Sequence, residues 1–271
     1  MRRLSLTLAL LALVPAATAQ TLASGEVRAA SPEGEFSRVA GLYALFYIGG
    51  ERSFACRLFE DKTYRNVRNF IDLACGYREW TDPRDGTTRR EPYYDGTIVY
   101  HVARNAMLVG GDPLANGLGS PGHFVEDEIR PDLTFDLPGR LAMANLGGRP
   151  DTNSGTWFVT ASPLPELTGR HTIIGEVVQG LDDVIEITRA PADRAGRPLE
   201  EILVERVDIV RILERGVVVR YERSTTRPYN EIEGLPMAAR TTDLPIWLRP
   251  EGSAAIELPP LPPIYGALGP E

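Results

Sequence analysis

Histidine, cysteine and lysine are the scarce side chains of this sequence, and their positions limit the chemistry open to it. His101, His123 and His171 all lie within 71 consecutive residues. A histidine can exchange a proton near neutral pH and can bind a metal. Lys62 is the single lysine beside 28 arginines, and nothing next to it indicates a Schiff-base site. The clustering of the three histidines is therefore the feature that the rest of the sequence must explain.

The familiar catalytic motifs do not occur in the sequence. Gly110-Gly111-Asp112 follows a strand-like segment, but it has neither the spacing nor the following helix of a phosphate-binding loop. Ser154 is not part of a G-x-S-x-G motif. Glu126-Asp127-Glu128 has no histidine or second acidic cluster at ligand spacing, so we interpret it as a solvated turn. The sequence thus predicts no metal site and no cofactor.

Composition narrows the class of protein further. The 271 residues are 43% hydrophobic, which is enough for a substantial core in one large domain or two small ones. The net charge of −8 argues against a nucleic-acid-binding surface. Two cysteines cannot form a four-thiolate zinc site or a disulfide-dense scaffold. The 26 glycines and 22 prolines favour a turn-rich fold over a helical bundle.

The first nineteen residues have the pattern of a secretory signal peptide. Arg2 and Arg3 precede an apolar run at 4–14, and Ala17-Thr18-Ala19 provides the small residues of a cleavage site. The run is too short to cross a hydrocarbon core of about 30 Å, so we expect no membrane span in the mature chain. The sequence therefore predicts an exported, periplasmic protein.

Export would place Cys56 and Cys75 in an oxidising compartment. Cys56 lies in a predicted strand at 54–59, and Cys75 follows a predicted helix at 63–74. The path out along the strand and the path back along the helix are each roughly 20 Å long. The two thiols can thus return to the same end, and both a disulfide and two buried free thiols remain open.

These sequence patterns divide the chain into four parts. Residues 1–19 are the signal peptide, 20–39 a polar leader, 40–212 a domain and 213–271 a tail with nine of the 22 prolines. The domain combines helices at 63–74 and 181–188 with many short strand-like runs, among them 42–48, 54–59, 140–145, 156–160, 171–178 and 202–212. Short strands with frequent turns favour a closed or nearly closed β barrel.

Long phrases within the domain resemble those of one family. They include LFEDKTYRNVRNFIDLACG at 58–76, MLVGGDPLANGLGSPGHFVEDE at 107–128, GRLAMANLGG at 139–148 and DTNSGTWFVTASPLPELTGRHTIIGEVVQGLDDV at 151–184. Over about 40–212 the sequence resembles the cyclophilins, most closely their exported bacterial branch. The resemblance implies a mainly β fold, a closed eight-stranded antiparallel barrel capped by two α-helices. It also implies peptidyl-prolyl cis/trans isomerase activity without any cofactor.

The resemblance assigns roles to individual positions. It places five residues in the pocket for the proline ring and its neighbours: Met107, Ala144, Phe158, Leu167 and His171. It implies that Asn145 holds the substrate peptide through its backbone. The partners would be Pro-containing segments of client proteins, and we expect a monomer.

Other positions depart from the family pattern. The family's catalytic arginine, which donates hydrogen bonds to the prolyl amide, falls on His101, and a pocket phenylalanine falls on Ala106. Val109 and Thr156 stand where the family has glutamines, and Glu166 stands where it has a tryptophan. His101 lacks the rigid two-pronged donor of arginine. The loop after Asn145 carries about two extra residues, so Arg149 is a candidate for a relocated arginine.

Two main functions follow from this mixture of matches and departures. One is an exported prolyl isomerase of lowered activity that assists protein folding, with His101 in the catalytic position. The alternative is a cyclophilin-like module that binds Pro-containing segments as a chaperone or assembly factor. A third reading, in which the Pro-rich tail occupies the chain's own groove, rests only on the proline run at 259–263.

Overall fold

The computed structural model describes residues 39–50, 52–213 and 218–223. The predicted signal peptide, nearly all of the leader and most of the Pro-rich tail lie outside the described residues. The described chain forms twelve strands and two α-helices, in the order β1 Gly41–Ile48, β2 Arg52–Leu58, α1 Tyr64–Cys75, β3 Trp80–Thr81, β4 Thr88–Arg89, β5 Thr97–Ile98, β6 His101–Ala103, β7 Met107–Gly110, β8 Arg140–Asn145, β9 Asn153–Thr160, β10 Ile173–Gln179, α2 Leu181–Thr188, β11 Leu203–Ile212 and β12 Val218–Arg220.

Ten of these strands form one antiparallel sheet. Its order is β12-β11-β1-β2-β10-β8-β9-β7-β6, with β5 also paired to β11, while β3 and β4 form a separate hairpin. The sheet curls strongly, since Ile98 of β5 forms a bridge with Asp112, just beyond β7. The prediction of a mainly β antiparallel fold with two helices is confirmed. The predicted eight strands and full closure are not confirmed, because the sheet has ten strands and, among the described residues, the one bridge between β5 and the β7 side is that of Ile98 with Asp112.

The core lies between the inner face of the curled sheet and the helices. The Phe46 ring of β1 stacks on Phe54 of β2 with centroids 4.6 Å apart. It also meets Trp157 of β9 edge-on at 4.9 Å and Phe70 of α1 at 6.0 Å. Such aromatic pairs add to the free energy gained from their buried area. This cluster therefore fixes α1 against the sheet.

Specific residues stabilise the two ends of helix α1. It ends at Gly76, whose φ of +73° is readily adopted by glycine and lets the chain turn away. At its start, Glu128 accepts hydrogen bonds from the backbone N–H groups of Arg65 at 3.2 Å and Asn66 at 2.9 Å. A carboxylate is favourable there because the helix N-terminus carries partial positive charge. The interpretation of residues 126–128 as a solvated turn was therefore wrong for Glu128, whereas Glu126 is exposed, as that interpretation expected.

Cys56 and Cys75 are both free thiols in this structure, and both are fully buried. Burial raises the pKa of each thiol, and the charge of Glu176 adds to the effect at Cys56. A thiol kept protonated in this way is a poor nucleophile.

No helix within the described ranges combines the length and apolar character needed to span a membrane.

Gly155 in β9 provides a test of how tightly the fold is packed. A Cβ atom added there would lie 2.3 Å from Cε1 of the buried Tyr93, whose ring is held edge-on by Trp80 at 4.8 Å. We expect Gly155→Ala to lower the free energy of unfolding by about 2 to 3 kcal/mol because overpacking forces the ring to move. Urea denaturation measures this loss.

Gly148→Ala is the matched control, since a Cβ at Gly148 has no atom within 4 Å. Its φ of +72° leaves only the backbone cost of about 1 kcal/mol. Equal losses in the two variants would contradict the packing argument.

Candidate functional site

Strand register determines which side chains share the outer face of the sheet. His101 of β6 lies opposite Val109 of β7, Val109 lies opposite Phe158 of β9, and Phe158 lies opposite Ala142 of β8. Residues directly opposite one another project from the same face. His101 and Phe158 are two strands apart, or about 10 Å at the usual strand spacing. His101 therefore belongs to the face that carries Phe158, at its edge.

That face carries a compact set of apolar side chains, which we call the outer apolar cluster. Phe158 is only 3% exposed, and its ring stacks on Phe135 with centroids 5.7 Å apart. The remaining members are either buried or partly exposed around it: Phe59, Met107, Val109, Leu133, Ala142, Ala144, Leu164, Leu167 and Ile173. The structure thus brings the predicted residues Met107, Ala144, Phe158 and Leu167 together.

His171 lies against the same cluster. Its ring meets Phe158 edge-on, with centroids 5.1 Å apart. Burial lowers the pKa of His171, and the Met143 backbone and the Asp127 charge offset only part of this effect. No well-formed hydrogen bond reaches its Nδ1 within the described residues. The His171 side chain is thus partly buried and largely uncharged, and it packs at the border of the outer apolar cluster.

The His101 side chain hydrogen-bonds to a turn that is distant in the sequence. Its Nδ1 lies 3.0 Å from the carbonyl oxygen of Ala195. A carbonyl can only accept, so Nδ1 carries the hydrogen, and in the neutral ring Nε2 is left as an acceptor. Gly196 lies against the ring, since a Cβ there would be 2.5 Å from Cε1 of His101. The neutral side chain therefore has no free N–H to offer a ligand.

Asn145 and Arg149 lie in the loop that follows β8. The Asn145 side chain donates to a carboxylate oxygen of Asp127 at 3.1 Å. The role that the resemblance implies for Asn145 uses its backbone and not this side chain. Arg149 is exposed and follows a single 3₁₀ turn at Leu146–Gly148. Its side chain has no hydrogen-bond or ion-pair partner among the described residues.

The positions that depart from the family pattern also have defined places. Val109 joins the outer apolar cluster, and Thr156 is buried in β9. Glu166 is exposed in the short turn Pro165–Leu167. Ala106 is partly exposed, and its carbonyl accepts from the N–H of Ala161 at 2.7 Å. These four side chains have neither the large rings nor the amides that the resemblance implies at their positions.

Sequence reasoning missed part of the site. Leu133, Phe135 and Ile173 complete the outer apolar cluster, although no motif marks them. Asp127 was read as a solvated residue, yet it accepts hydrogen bonds from three groups across the chain. The only sequence signal for Asp127 was its place in an acidic run, and such runs are usually exposed.

A cavity of about 490 Å³ lies beside the cluster and shares Phe59 and Leu133 with it. It contains none of the predicted site residues. Two ion pairs line it, Lys62 with Asp132 and Arg140 with Glu176, each at 2.7 Å. We therefore place the candidate site at the outer apolar cluster and not in this cavity.

Comparison with known proteins identifies the family of this chain. Residues 44–209 match the family described as cyclophilin type peptidyl-prolyl cis-trans isomerase/CLD, and the chain therefore belongs to that family. It is 45% identical to peptidyl-prolyl cis-trans isomerase B of Streptomyces anulatus over 56% of this chain and 87% of that protein. It is 37% identical to probable peptidyl-prolyl cis-trans isomerase A of Mycobacterium bovis over 56% of this chain and 84% of that protein.

A solved structure shows the same fold. The Cryptosporidium parvum cyclophilin type peptidyl-prolyl cis-trans isomerase, crystallised in the presence of the dipeptide Ala-Pro, superposes with a TM-score of 0.53 at 26% identity. The match covers 61% of this chain and 96% of that one. The sheet and helices described above are thus those of a cyclophilin.

His123, the remaining histidine, has a structural contact. Its Nε2 donates to Oδ1 of Asn69 at 2.6 Å, and the Asn69 amide donates to the Ser154 carbonyl at 2.7 Å. Burial lowers the pKa of His123 from 6.5 to about 4, and the charge of Arg78 adds to the effect. The ring is therefore neutral in the folded chain at neutral pH.

This contact predicts a component of acid sensitivity. Below pH 6.5 the unfolded chain protonates His123 while the folded chain does not, so stability falls as the pH drops from about 6.5 to 4. We expect His123→Gln, which keeps a donor for Asn69, to remove about 2 to 3 kcal/mol of this loss. Urea denaturation of both proteins at pH 7 and pH 4.5 gives the difference. Identical pH dependence in the two proteins would refute the assignment.

Proposed function

We propose that this chain is a peptidyl-prolyl cis/trans isomerase that acts on Pro-containing segments of client proteins. The observation that supports this most is the outer apolar cluster around Phe158, flanked by Met107, Leu167 and His171 on the face of a cyclophilin sheet. A proline ring is apolar and compact, and an apolar surface of this kind favours its burial.

Catalysis of this reaction requires selective binding and no covalent chemistry. Rotation about an X–Pro bond crosses a barrier of about 20 kcal/mol, and no bond is broken. The protein must therefore bind the twisted amide more tightly than either planar form. In our proposal the outer apolar cluster holds the proline ring, and the backbone at Asn145 aligns the flanking peptide.

His101 occupies the position from which the family's arginine donates to the prolyl amide. With Nδ1 committed to the Ala195 carbonyl, the neutral ring presents only an acceptor at Nε2. An acceptor does not stabilise the lone pair that appears on the amide nitrogen as the bond twists. His101 donates from Nε2 only when its ring is doubly protonated. We therefore propose an activity well below that of a cyclophilin with arginine at this position.

The same contact favours the alternative function. If the His101–Ala195 contact leaves no donor at all, the chain binds Pro-containing segments without useful catalysis, as a chaperone or assembly factor. Ala106 and Val109 support this alternative, since they remove a ring and an amide from the family pocket. The two functions share the peptide-binding surface and differ in rate acceleration alone.

The setting of this function is also a proposal. The basic, apolar and small-residue pattern of residues 1–19 supports export, and a periplasmic role in the folding of exported proteins would follow. We propose that the protein acts as a monomer.

His101→Arg tests the catalytic assignment. We expect wild type to accelerate isomerisation of an Ala-Pro peptide weakly, and His101→Arg to raise kcat/KM by roughly tenfold or more, because arginine is a permanent donor. NMR exchange spectroscopy or a protease-coupled assay measures the rates. Leu199→Ala, a change at a 69% exposed residue outside the cluster, is the control.

The outcome separates the two functions. A wild-type rate indistinguishable from the uncatalysed rate, with peptide binding retained and catalysis created by His101→Arg, would establish the binding module and overturn the enzyme. A wild-type rate above the uncatalysed one supports the enzyme.

Arg149→Ala tests whether the arginine has been relocated. If Arg149 reaches the substrate, its loss should reduce kcat/KM by about tenfold or more, since a transition-state donor is removed. Arg130→Ala, which removes another exposed arginine, should leave the rate unchanged. Equal rates in the two variants would exclude Arg149 from catalysis.

A further inference from the structure

Asp127 lies at the centre of a hydrogen-bond network that the function proposed above does not use. Its Oδ1 accepts from the side-chain amides of Asn145 at 3.1 Å and Asn153 at 2.9 Å. Its Oδ2 accepts from the backbone N–H of Asp151 at 3.0 Å. One carboxylate thus bonds to the first residue of the loop 145–153, to its last residue and to a residue within it.

The contact with Asp151 is reciprocal. The backbone N–H of Asp127 donates to Oδ1 of Asp151 at 2.9 Å while the Asp151 N–H donates to Asp127. Asp151 has a φ of +57°, a left-handed conformation that costs free energy for a residue other than glycine. Such a conformation persists only where its surroundings fix it. Here the Asp127 carboxylate and backbone together provide that restraint.

The network also extends toward His171. The Asn153 amide that donates to Asp127 also donates to Oγ1 of Thr172 at 3.1 Å. The same hydroxyl accepts from the N–H of Glu128 at 2.9 Å, and the Thr172 carbonyl accepts from the N–H of Met143 at 2.9 Å. Thr172 follows His171 directly in the chain. The backbone on both sides of the outer apolar cluster is therefore tied to one carboxylate.

We propose that Asp127 is a positioning residue of the peptide-binding surface, which fixes the loop 145–153 so that the Asn145 backbone faces a bound Pro-containing segment. The inference rests on the proposed function only in that the surface must bind such a segment. Asp127 does not itself touch the peptide. It acts because charge-assisted hydrogen bonds to a carboxylate are stronger than neutral ones.

This role explains why the loop tolerates extra residues. The sequence around Gly148 and Arg149 is longer than the family pattern, and a longer loop costs conformational entropy to order. Bonds from Asp127 to Asn145, Asp151 and Asn153 leave five residues between Asn145 and Asp151 without a contact to this carboxylate. Within that segment, the Leu146 N–H and the Arg149 carbonyl bond to the hydroxyl of Thr152. The insertion is thereby confined to the exposed turn.

Graded substitutions at Asp127 test the proposal. Asp127→Ala removes all three acceptor contacts, and we expect it to weaken the binding of an Ala-Pro tetrapeptide about tenfold. Asp127→Asn keeps one carbonyl oxygen for the two amides and loses only the acceptor for Asp151, so we expect a loss of about twofold to threefold. NMR titration of the isotopically labelled protein gives the dissociation constant, and the Asn145 amide signal reports on the loop. Asp136→Asn, which removes an exposed carboxylate without a described partner, should change neither.

The outcomes separate this proposal from the proposed function. Asp127→Ala that is folded and binds the peptide as wild type does would overturn the positioning role, whatever the catalytic rate. Weakened binding in the Asp127 variants supports the role even if wild type does not accelerate isomerisation, in which case only the enzyme is lost. If Asp127→Ala does not fold, Asp127→Asn with an unchanged dissociation constant and an unchanged Asn145 signal overturns the proposal. A wild-type protein that binds no Ala-Pro peptide overturns both.

Discussion

Burial of β9 on both faces is the constraint on which the rest of the structure depends. All eight residues of Asn153–Thr160 are buried, so the strand separates two apolar regions instead of dividing core from solvent. Trp157 projects inward against Phe46, while Phe158 projects outward into the outer apolar cluster. A shift of one residue in its pairing would exchange these two faces. The register that packs the core is thus the same register that builds the candidate site.

Much of this arrangement could be predicted from the sequence, because periodicity and turn residues act locally. The predicted helix at 181–188 and strand at 140–145 have the bounds observed for α2 and β8. The predicted helix at 63–74 differs from α1 by one residue at each end. The apolar residues Met107, Ala144, Phe158 and Leu167 were also predicted, because the resemblance to cyclophilins marks them individually.

Contacts between residues distant in the chain could not be predicted in the same way. His101 and Ala195 are 94 residues apart, and only the folded sheet brings the turn at 193–196 beside β6. Asp127 likewise meets groups 18 to 26 residues away. A sequence pattern shows that an aspartate is present, but its partners depend on three-dimensional packing. For this reason the chemical state of His101 and the anchoring of the loop became apparent only from the structure.

The burial of the two thiols has a consequence for the lifetime of the protein. Cys56 and Cys75 are shielded on every side, and their raised pKa values keep them protonated. Oxidants and alkylating reagents therefore reach them only when the domain opens, so the rate of damage follows the frequency of opening and not the intrinsic reactivity of sulfur. In an oxidising compartment, each modified thiol would therefore show that the domain had opened at least once.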